Sequence, residues 1–143
     1  LPHRDSPFTV REIASFHDDR GGTLRGGNTI RVFTADGISV AHLGDLGHQL
    51  TVEQAAAIGP VDAVLVPVGG VYTVDAAGAK AVCDALHPRC VVPMHYHHAP
   101  YGLTEVDSVE PFLEQWSSEA VHHLQGAAFE LTKQTAGVMV PSF

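Results

Sequence analysis

The chain of 143 residues has few cysteines, few basic residues and no long apolar run. Its two cysteines, Cys83 and Cys90, are too few for a disulfide framework and lack C-x-x-C spacing, which favours buried thiols in a cytoplasmic protein. Eight Lys and Arg residues against sixteen Asp and Glu give a net charge of -8, which argues against nucleic acid as a partner.

Two further absences concern membranes and targeting. No stretch approaches the ~20 consecutive apolar residues that a membrane-spanning helix needs, so we expect no membrane partner. The first residues, LPHRDSPF, have neither the charged start nor the apolar centre of a signal peptide. Because residue 1 is Leu1 rather than Met, we expect a chain that was processed, trimmed or cut from a longer one.

What is abundant is apolar residues, at 45%, and histidine, at ten residues. This size and composition predict one compact domain or half-domain over residues 1–143. The residue patterns predict an α/β arrangement in which helices pack on a sheet. The first expected elements are a strand over 8–16, a hairpin turning at Asp36-Gly37, and a helix opened by Thr51 with Gln54 in a capping box. A strand over 62–70, a helix capped by Asp75 and a strand over 90–96 follow. The last are two weaker strands within 127–140 and, before them, an amphipathic helix from Glu105 to Trp116 with one apolar side formed by Val106, Val109, Phe112, Leu113 and Trp116.

Three possible metal ligands follow predicted strands. His17, Asp45 and His95 each lie in a loop at a strand end, where the sites of open α/β sheets are usually built. Imidazole and carboxylate groups are ligands of first-row divalent metals. Gly44 and Gly47 flank Asp45 and allow the sharp turns that would direct a short carboxylate inward.

Four segments together resemble a known family. The resemblance covers roughly residues 8 to 116 and points to the second half of the metallo-β-lactamase-fold hydrolases, in the branch similar to ascorbate-phosphate lactonases. The segments are SFHDDRGGTLRGGNTI, IRVFTADGISVAHLGDLGH, VDAVLVPVGGVYTVD and VVPMHYHHAP. This resemblance implies the C-terminal half of an αββα sandwich. It also implies two divalent ions, zinc first and manganese or iron as alternatives, with His17 and His95 as ligands and Asp45 as the bridging, catalytic carboxylate.

The family's H-x-H-x-D-H motif, which supplies four further ligands, does not occur in this sequence. Three explanations stay open. The chain is the C-terminal part of a longer hydrolase and pairs with an N-terminal half, it completes its site across a homo-oligomer with His97 or His98 as substitute ligands, or it has lost catalysis. We rank them in that order.

Other residues near these segments are assigned weaker roles. His48 would orient the Asp45 carboxylate or contact substrate, and His97 would line the pocket mouth. Gly70 and Tyr72, in a glycine-rich stretch, would offer backbone N–H groups to an anionic group. We interpret His42 as structural and Arg25 as simply exposed. His87, His122 and His123 are expected to face solvent.

Two functions compete on this sequence. The first is a metal-dependent hydrolase that acts on a small-molecule lactone, ester, amide or phosphoester through a metal-activated water. The second is a non-catalytic α/β module, structural or binding, whose histidines form a vestigial metal site.

Overall fold

The computed structural model describes residues 7–142, so six of the eight residues of the N-terminal LPHRDSPF segment lie outside the described residues. The strands are β1 (Thr9–Phe16), β2 (Gly27–Ala35), β3 (Ile38–His42), β4 (Ala63–Pro67), β5 (Cys90–Met94), β6 (Val121–His123) and β7 (Gly137–Val140). The helices are α1 (Val52–Ile58), α2 (Ala76–Leu86) and α3 (Glu110–Leu113), with a 3₁₀ turn at Ser118–Ala120. None of the described helices is long and apolar enough to cross a membrane.

Local sequence signals determine the first connections. The β2–β3 hairpin turns at Asp36 and Gly37, whose φ angles of 53° and 75° are those of the tight turn that Asp-Gly favours. Helix α1 begins after Thr51, whose hydroxyl accepts the N–H of Gln54 while the Gln54 side chain accepts the N–H of Thr51. Asp75 caps α2 through the N–H of Gly78. The predicted hairpin and both predicted helix starts are therefore confirmed.

The strands form one seven-stranded mixed sheet with the order β1-β2-β3-β4-β5-β7-β6. Strands β3, β4 and β5 are parallel neighbours, and β1 has the same direction because it is separated from β3 by the antiparallel β2. The carboxyl ends of β1, β3, β4 and β5 therefore meet at one edge of the sheet. This mixed sheet with its helices confirms the predicted α/β fold.

The main core lies between the helices and one face of the sheet. Alternate strand residues such as Ile30, Val64 and Val91 share it with Val82 of α2 and Phe112 of α3. A smaller cluster lies on the opposite face, where Phe129 and Leu131 of the C-terminal segment pack over Ala63, Cys90 and Met139. Burial raises the pKa of the Cys90 thiol to about 11 and that of Cys83 to about 12, which keeps both thiols protonated at neutral pH.

The predicted helix from Glu105 to Trp116 is wrong in length, because only Glu110–Leu113 is helical. Proline is tolerated in a first helical turn but not in a helix interior, and Pro111 places that first turn at 110–111. The preceding segment bonds to other loops, since the N–H of Asp107 donates to the carbonyl of Gly69 and the carbonyl of Asp107 accepts the N–H of His97. Of the predicted apolar side, Val106 lines a pocket instead of extending the helix.

Within 127–140 one of the two predicted strands is found, β7, while Phe129 and Leu131 cover the sheet without joining it. Strand β6, which pairs with β7 at the sheet edge, was not predicted. Its three residues are too short for alternation of polar and apolar residues to be recognised in a sequence.

Asp62 joins three segments of the fold, and its removal gives a pH-dependent prediction. Its carboxylate accepts the N–H of Ser39 at 2.8 Å and forms a 2.7 Å ion pair with Arg89, which also donates to two carbonyls of the C-terminal segment. The Ser39 bond, followed by the Arg89 bond, lowers the pKa of Asp62. A carboxyl with a lowered pKa stabilises the fold above its ordinary pKa of 3.8 and loses that contribution as the pH falls through its lower folded value.

We expect Asp62→Asn to lower the free energy of unfolding at pH 7 by about 1 kcal/mol, as for partly exposed hydrogen-bonded ion pairs. The difference from the unaltered chain should shrink as the pH falls below 3.8. Urea unfolding at several pH values measures it. Asp84→Asn is the control, because the Asp84 side chain is 60% exposed and its pair with Lys80 lies within one helix. If Asp62→Asn lowers the free energy of unfolding at pH 7 no more than Asp84→Asn does, this role of Asp62 is contradicted.

Candidate functional site

The carboxyl-end edge of the sheet brings three predicted ligands together. His17 directly follows β1, Asp45 lies in the loop after β3, and His95 directly follows β5. Nε2 of His17 is 3.9 Å from Oδ2 of Asp45, and Nδ1 of His95 is 3.2 Å from Oδ1. The two imidazoles therefore flank one carboxylate and approach different oxygens. All three side chains are reachable from solvent, with exposures of 25%, 54% and 43% in chain order.

The loop after His17 is organised by Asp18, which the sequence did not single out. Asp18 is 2% exposed, and its carboxylate accepts four backbone N–H groups. The donors are Arg20 and Gly22 to Oδ1, and Leu24 and Arg25 to Oδ2. These bonds, that from Arg25 first, hold the pKa of Asp18 well below its usual range although burial opposes the shift. The carboxylate is therefore a fixed centre around which residues 18–25 fold.

The loop that carries Asp45 depends on close backbone approaches. Gly44 has φ 61°, and a Cβ there would lie 2.6 Å from Oδ1 of Asn28. Oδ1 of Asn28 accepts the N–H of Asp45 at 2.9 Å, and its Nδ2 donates to Ser15 and to the carbonyl of Leu43. Asn28, also not predicted, thus ties the Asp45 loop to the first two strands.

Gly47 and His48 join the same loop to the end of β1. The Gly47 N–H donates to the carbonyl of Phe16, and Nε2 of His48 accepts the N–H of Phe16 at 3.1 Å. Because Nε2 accepts, Nδ1 of His48 carries the proton and donates to the carbonyl of Gln49 at 2.7 Å. Both ring nitrogens are used inside the protein, so His48 fixes the position of the residue before His17 and does not line the pocket.

His95 adopts an uncommon backbone conformation. Its φ is 56°, and a non-glycine residue with positive φ usually occurs in a turn or at a functional site. Its carbonyl packs against Gly69, where a Cβ would approach to 2.2 Å. The glycine after β4 therefore allows the His95 turn to lie directly against the neighbouring loop.

The two imidazoles and Asp45 open into a pocket of about 380 Å³. Gly70 and Tyr72, predicted to contact substrate, line it, and so do five residues that the sequence did not indicate. Those five are Thr73, Tyr96, Gly102, Leu103 and Val106. No composition signal marks them, because they come from two loops, 70–73 and 96–106, that meet only in the folded chain.

Several predicted neighbours lie elsewhere. Nδ1 of His42 accepts the N–H of Gly44, which agrees with a structural role. His97 does not line the pocket, and its Nδ1 is buried without a hydrogen-bond partner among the described residues. The Arg25 guanidinium lies 5.3 Å from the centre of the Tyr72 ring, so it is stacked instead of simply exposed. A contact of His97 with substrate remains a prediction.

The backbone N–H groups of Gly70 and Tyr72 are not available for an anion. Gly70 donates to the carbonyl of Val74 at 3.2 Å, and Tyr72 donates to the carbonyl of Gly70 at 2.7 Å. The hypothesis of free N–H groups at these two residues is therefore wrong. The tight turn between them places Val71 at φ 65°, a rare conformation for a β-branched residue.

The donor set fits divalent metal chemistry but is incomplete. Two imidazoles and one carboxylate are typical donors for zinc, and two ligands of one tetrahedral ion lie about 3.4 Å apart, close to the His95–Asp45 distance of 3.2 Å. Within residues 7–142, however, no three His, Cys, Asp or Glu side chains are arranged to hold one ion together. Each imidazole has only the Asp45 carboxylate beside it, so a metal ion at either imidazole would need further donors.

The family described as beta-lactamase superfamily domain matches residues 6–95, which include His17, Asp45 and His95. The chain belongs to this family. The resemblance to this superfamily that the four sequence segments indicated is thereby confirmed.

Relatives within the superfamily agree with this assignment. A metal-dependent hydrolase of Pyrococcus furiosus is 30% identical over 101 residues, 69% of this chain and 45% of that protein. A metal-dependent hydrolase of Carboxydothermus hydrogenoformans is 35% identical over 69% of this chain and 46% of that protein. The chain thus spans about half the length of these curated relatives.

A solved structure agrees with the fold over nearly the whole chain. It is that of an inferred Zn-dependent hydrolase of the metallo-beta-lactamase superfamily from Thermotoga maritima. The match has 36% identity and a TM-score of 0.80, and covers 93% of this chain and 64% of that one. The superfamily fold is therefore established for the described residues.

Proposed function

We propose that this chain supplies one half of a dinuclear metal-dependent hydrolase that acts on a small molecule. The observation that carries the proposal is the pair of imidazoles, His17 and His95, on the two oxygens of the Asp45 carboxylate at a pocket. The names of the Pyrococcus and Carboxydothermus relatives support a divalent metal and hydrolysis. Zinc is the first candidate, with manganese or iron as alternatives.

When bound, two divalent ions would supply a water acidified to a pKa of about 7 and positive charge beside the reacting carbonyl or phosphoryl group. In this chain the Asp45 carboxylate would be a ligand shared by the ions, and His17 and His95 would each hold one. Asn28 and Gly47 keep the Asp45 loop against His17, so the spacing of the donors is determined before any ion binds. Tyr72, Tyr96 and Leu103 would surround the substrate and reduce the access of water.

The remaining ligands would come from outside residues 7–142. Catalytic zinc normally has three protein ligands, whereas each ion here would have one imidazole and a shared carboxylate. We propose that an N-terminal half carrying H-x-H-x-D-H, in the same or a separate chain, completes the site. A homo-oligomer is the second possibility. The absence of that motif from the sequence and the incomplete donor set support the need for a partner.

Metal analysis of the purified protein tests this proposal, together with mass spectrometry of every polypeptide in the sample. With the partner half present, we expect about two ions per chain. Asp45→Ala should lose both ions, because each would be held by that carboxylate. Asp84→Ala is the matched control, since this carboxylate lies on helix α2 away from the pocket and should leave the metal content unchanged. A sample that contains the H-x-H-x-D-H half but holds no metal, and whose unfolding midpoint does not change with a chelator, would contradict the proposal.

One observation favours a second candidate, a non-catalytic binding or structural module. No three donors among the described residues are arranged around a common ion position, as expected for a vestigial site. The metal analysis separates the two functions, because the module predicts no stoichiometric ion and no effect of Asp45→Ala on metal content.

A further inference from the structure

We propose that the pocket selects an uncharged substrate, an ester, lactone or amide with a compact apolar group beside the reacting carbonyl. A substrate that carries an anionic group away from the reacting bond would be disfavoured. The inference deepens the proposed hydrolase function and rests on it. The described walls of the pocket are formed by this chain's own loops and do not depend on a bound ion.

The pocket walls are mainly apolar. Besides His17, Asp45 and His95, the lining residues are Tyr72, Tyr96, Leu103, Val106, Thr73 and two glycines, Gly70 and Gly102. A volume of about 380 Å³ is near the lower end of the ~300–1,000 Å³ usual for small-molecule sites. The pocket therefore suits a compact apolar group.

The charges around the pocket disfavour an anion. Among the described lining residues there is no Lys or Arg, and the one carboxylate is Asp45. Arg25 stacks on the Tyr72 ring and is not one of the residues that line the pocket. The N–H groups of Gly70 and Tyr72 donate to neighbouring carbonyls. A phosphate group away from the reacting centre would therefore meet mainly apolar walls, without a Lys or Arg among the described lining residues to replace its hydration.

The apolar walls are held in position by a bond between the two loops. The Tyr72 hydroxyl donates to Oε1 of Glu105 at 2.6 Å, and this bond joins loop 70–73 to loop 96–106. The carbonyl of Gly69 accepts the N–H of Asp107, which adds a second connection between the same segments. Because both loops are tied together, the pocket is preorganised and cannot widen freely to admit a hydrated anion.

Two ligands of equal size test the inference in metal-free protein: neutral phenylacetamide and anionic phenylphosphonate. We expect phenylacetamide to bind about tenfold more tightly, the ratio that one unfavourable charge interaction of about 1.4 kcal/mol produces. Chemical-shift titration of the labelled protein gives both dissociation constants. The shifted amides should lie in loops 70–73 and 96–106.

Leu103→Lys should reverse this preference, because it places a cation in the pocket at a residue that is 56% exposed and tolerates substitution. Val52→Lys is the matched control, since Val52 is 83% exposed on helix α1 and lies outside the pocket. Tighter binding of phenylphosphonate by the unaltered chain would overturn the inference, and so would no binding of phenylacetamide at the pocket. Neither result would affect the metal analysis, so failure of this inference and failure of the proposed function are separate outcomes.

Discussion

Gly47→Ala is expected to lower the free energy of unfolding by about 3 kcal/mol, at the upper end of the usual cost of added atoms in a packed region. A Cβ at this position would lie 2.3 Å from the backbone N of Asp18 and 2.4 Å from the carbonyl carbon of His17. These are backbone atoms, so no side-chain rotation relieves the contact. The loop must move away from β1, and the Gly47 bond to the carbonyl of Phe16 is lost with it. Urea unfolding measures the change.

Gly126→Ala is the control for this substitution, because a Cβ there meets no atom within 4 Å and its φ is not in the left-handed region. That variant should be as stable as the unaltered chain or slightly more stable, since alanine restricts the unfolded state. Amide shifts should also move around His17 and Asp45 in Gly47→Ala alone. If the two variants unfold within about 0.5 kcal/mol of each other, the close approach of the two loops is refuted.

The effect on the site follows from the same geometry. Asp45 lies two residues before Gly47, and His17 supplies one of the backbone atoms that the new methyl group would contact. A displaced loop would therefore separate the carboxylate from the imidazole, which are 3.9 Å apart in the intact protein. Gly69 has the equivalent position beside His95, with a Cβ distance of 2.2 Å to its carbonyl oxygen. The spacing of the candidate ligands thus depends on glycines that hold no ligand themselves.

The sequence predicts those parts of the fold that depend on neighbours along the chain. The Asp36-Gly37 turn and the Thr51 capping box involve residues within three positions of each other, so their chemistry is visible in the sequence. The prediction of a helix from Glu105 to Trp116 was wrong in length. Its apolar residues have the spacing of a helix, but its first half bonds to distant loops. The carbonyl of Gly69 takes the N–H of Asp107, a bond that periodicity cannot reveal.

The sequence also predicts only part of the candidate site. His17, Asp45 and His95 were found because each follows a strand and because the segments resemble a known family. Asn28 was missed because its three side-chain partners, Ser15, Leu43 and Asp45, lie on two other segments of the chain, and its side chain has no sequence motif. Most of the apolar pocket wall was missed for the same reason, since Tyr96, Leu103 and Val106 join the predicted Tyr72 only after folding.

Asp18→Asn is expected to disorder residues 19–25 while the rest of the sheet stays folded. Oδ1 can still accept the N–H groups of Arg20 and Gly22, but the new amide nitrogen would face the N–H groups of Leu24 and Arg25. The backbone N–H groups of Leu24 and Arg25 would then face an NH2 group, which can only donate, and both would lose their hydrogen-bond acceptor. Amide exchange at Leu24 and Arg25 should accelerate by about tenfold or more, because local opening no longer breaks these bonds.

Asp19→Asn provides a matched comparison, since the neighbouring Asp19 has a side chain that is 79% exposed and forms only a 3.9 Å pair with Arg20. It should leave amide exchange in the loop unchanged. Equal protection in the two variants would show that the Asp18 carboxylate does not organise the loop. If Asp18→Asn behaves as expected, Arg25 should also leave the Tyr72 ring, because its backbone is fixed by the Asp18 carboxylate. A chemical-shift change at Tyr72 in Asp18→Asn but not in Asp19→Asn would then connect this buried carboxylate to the wall of the pocket.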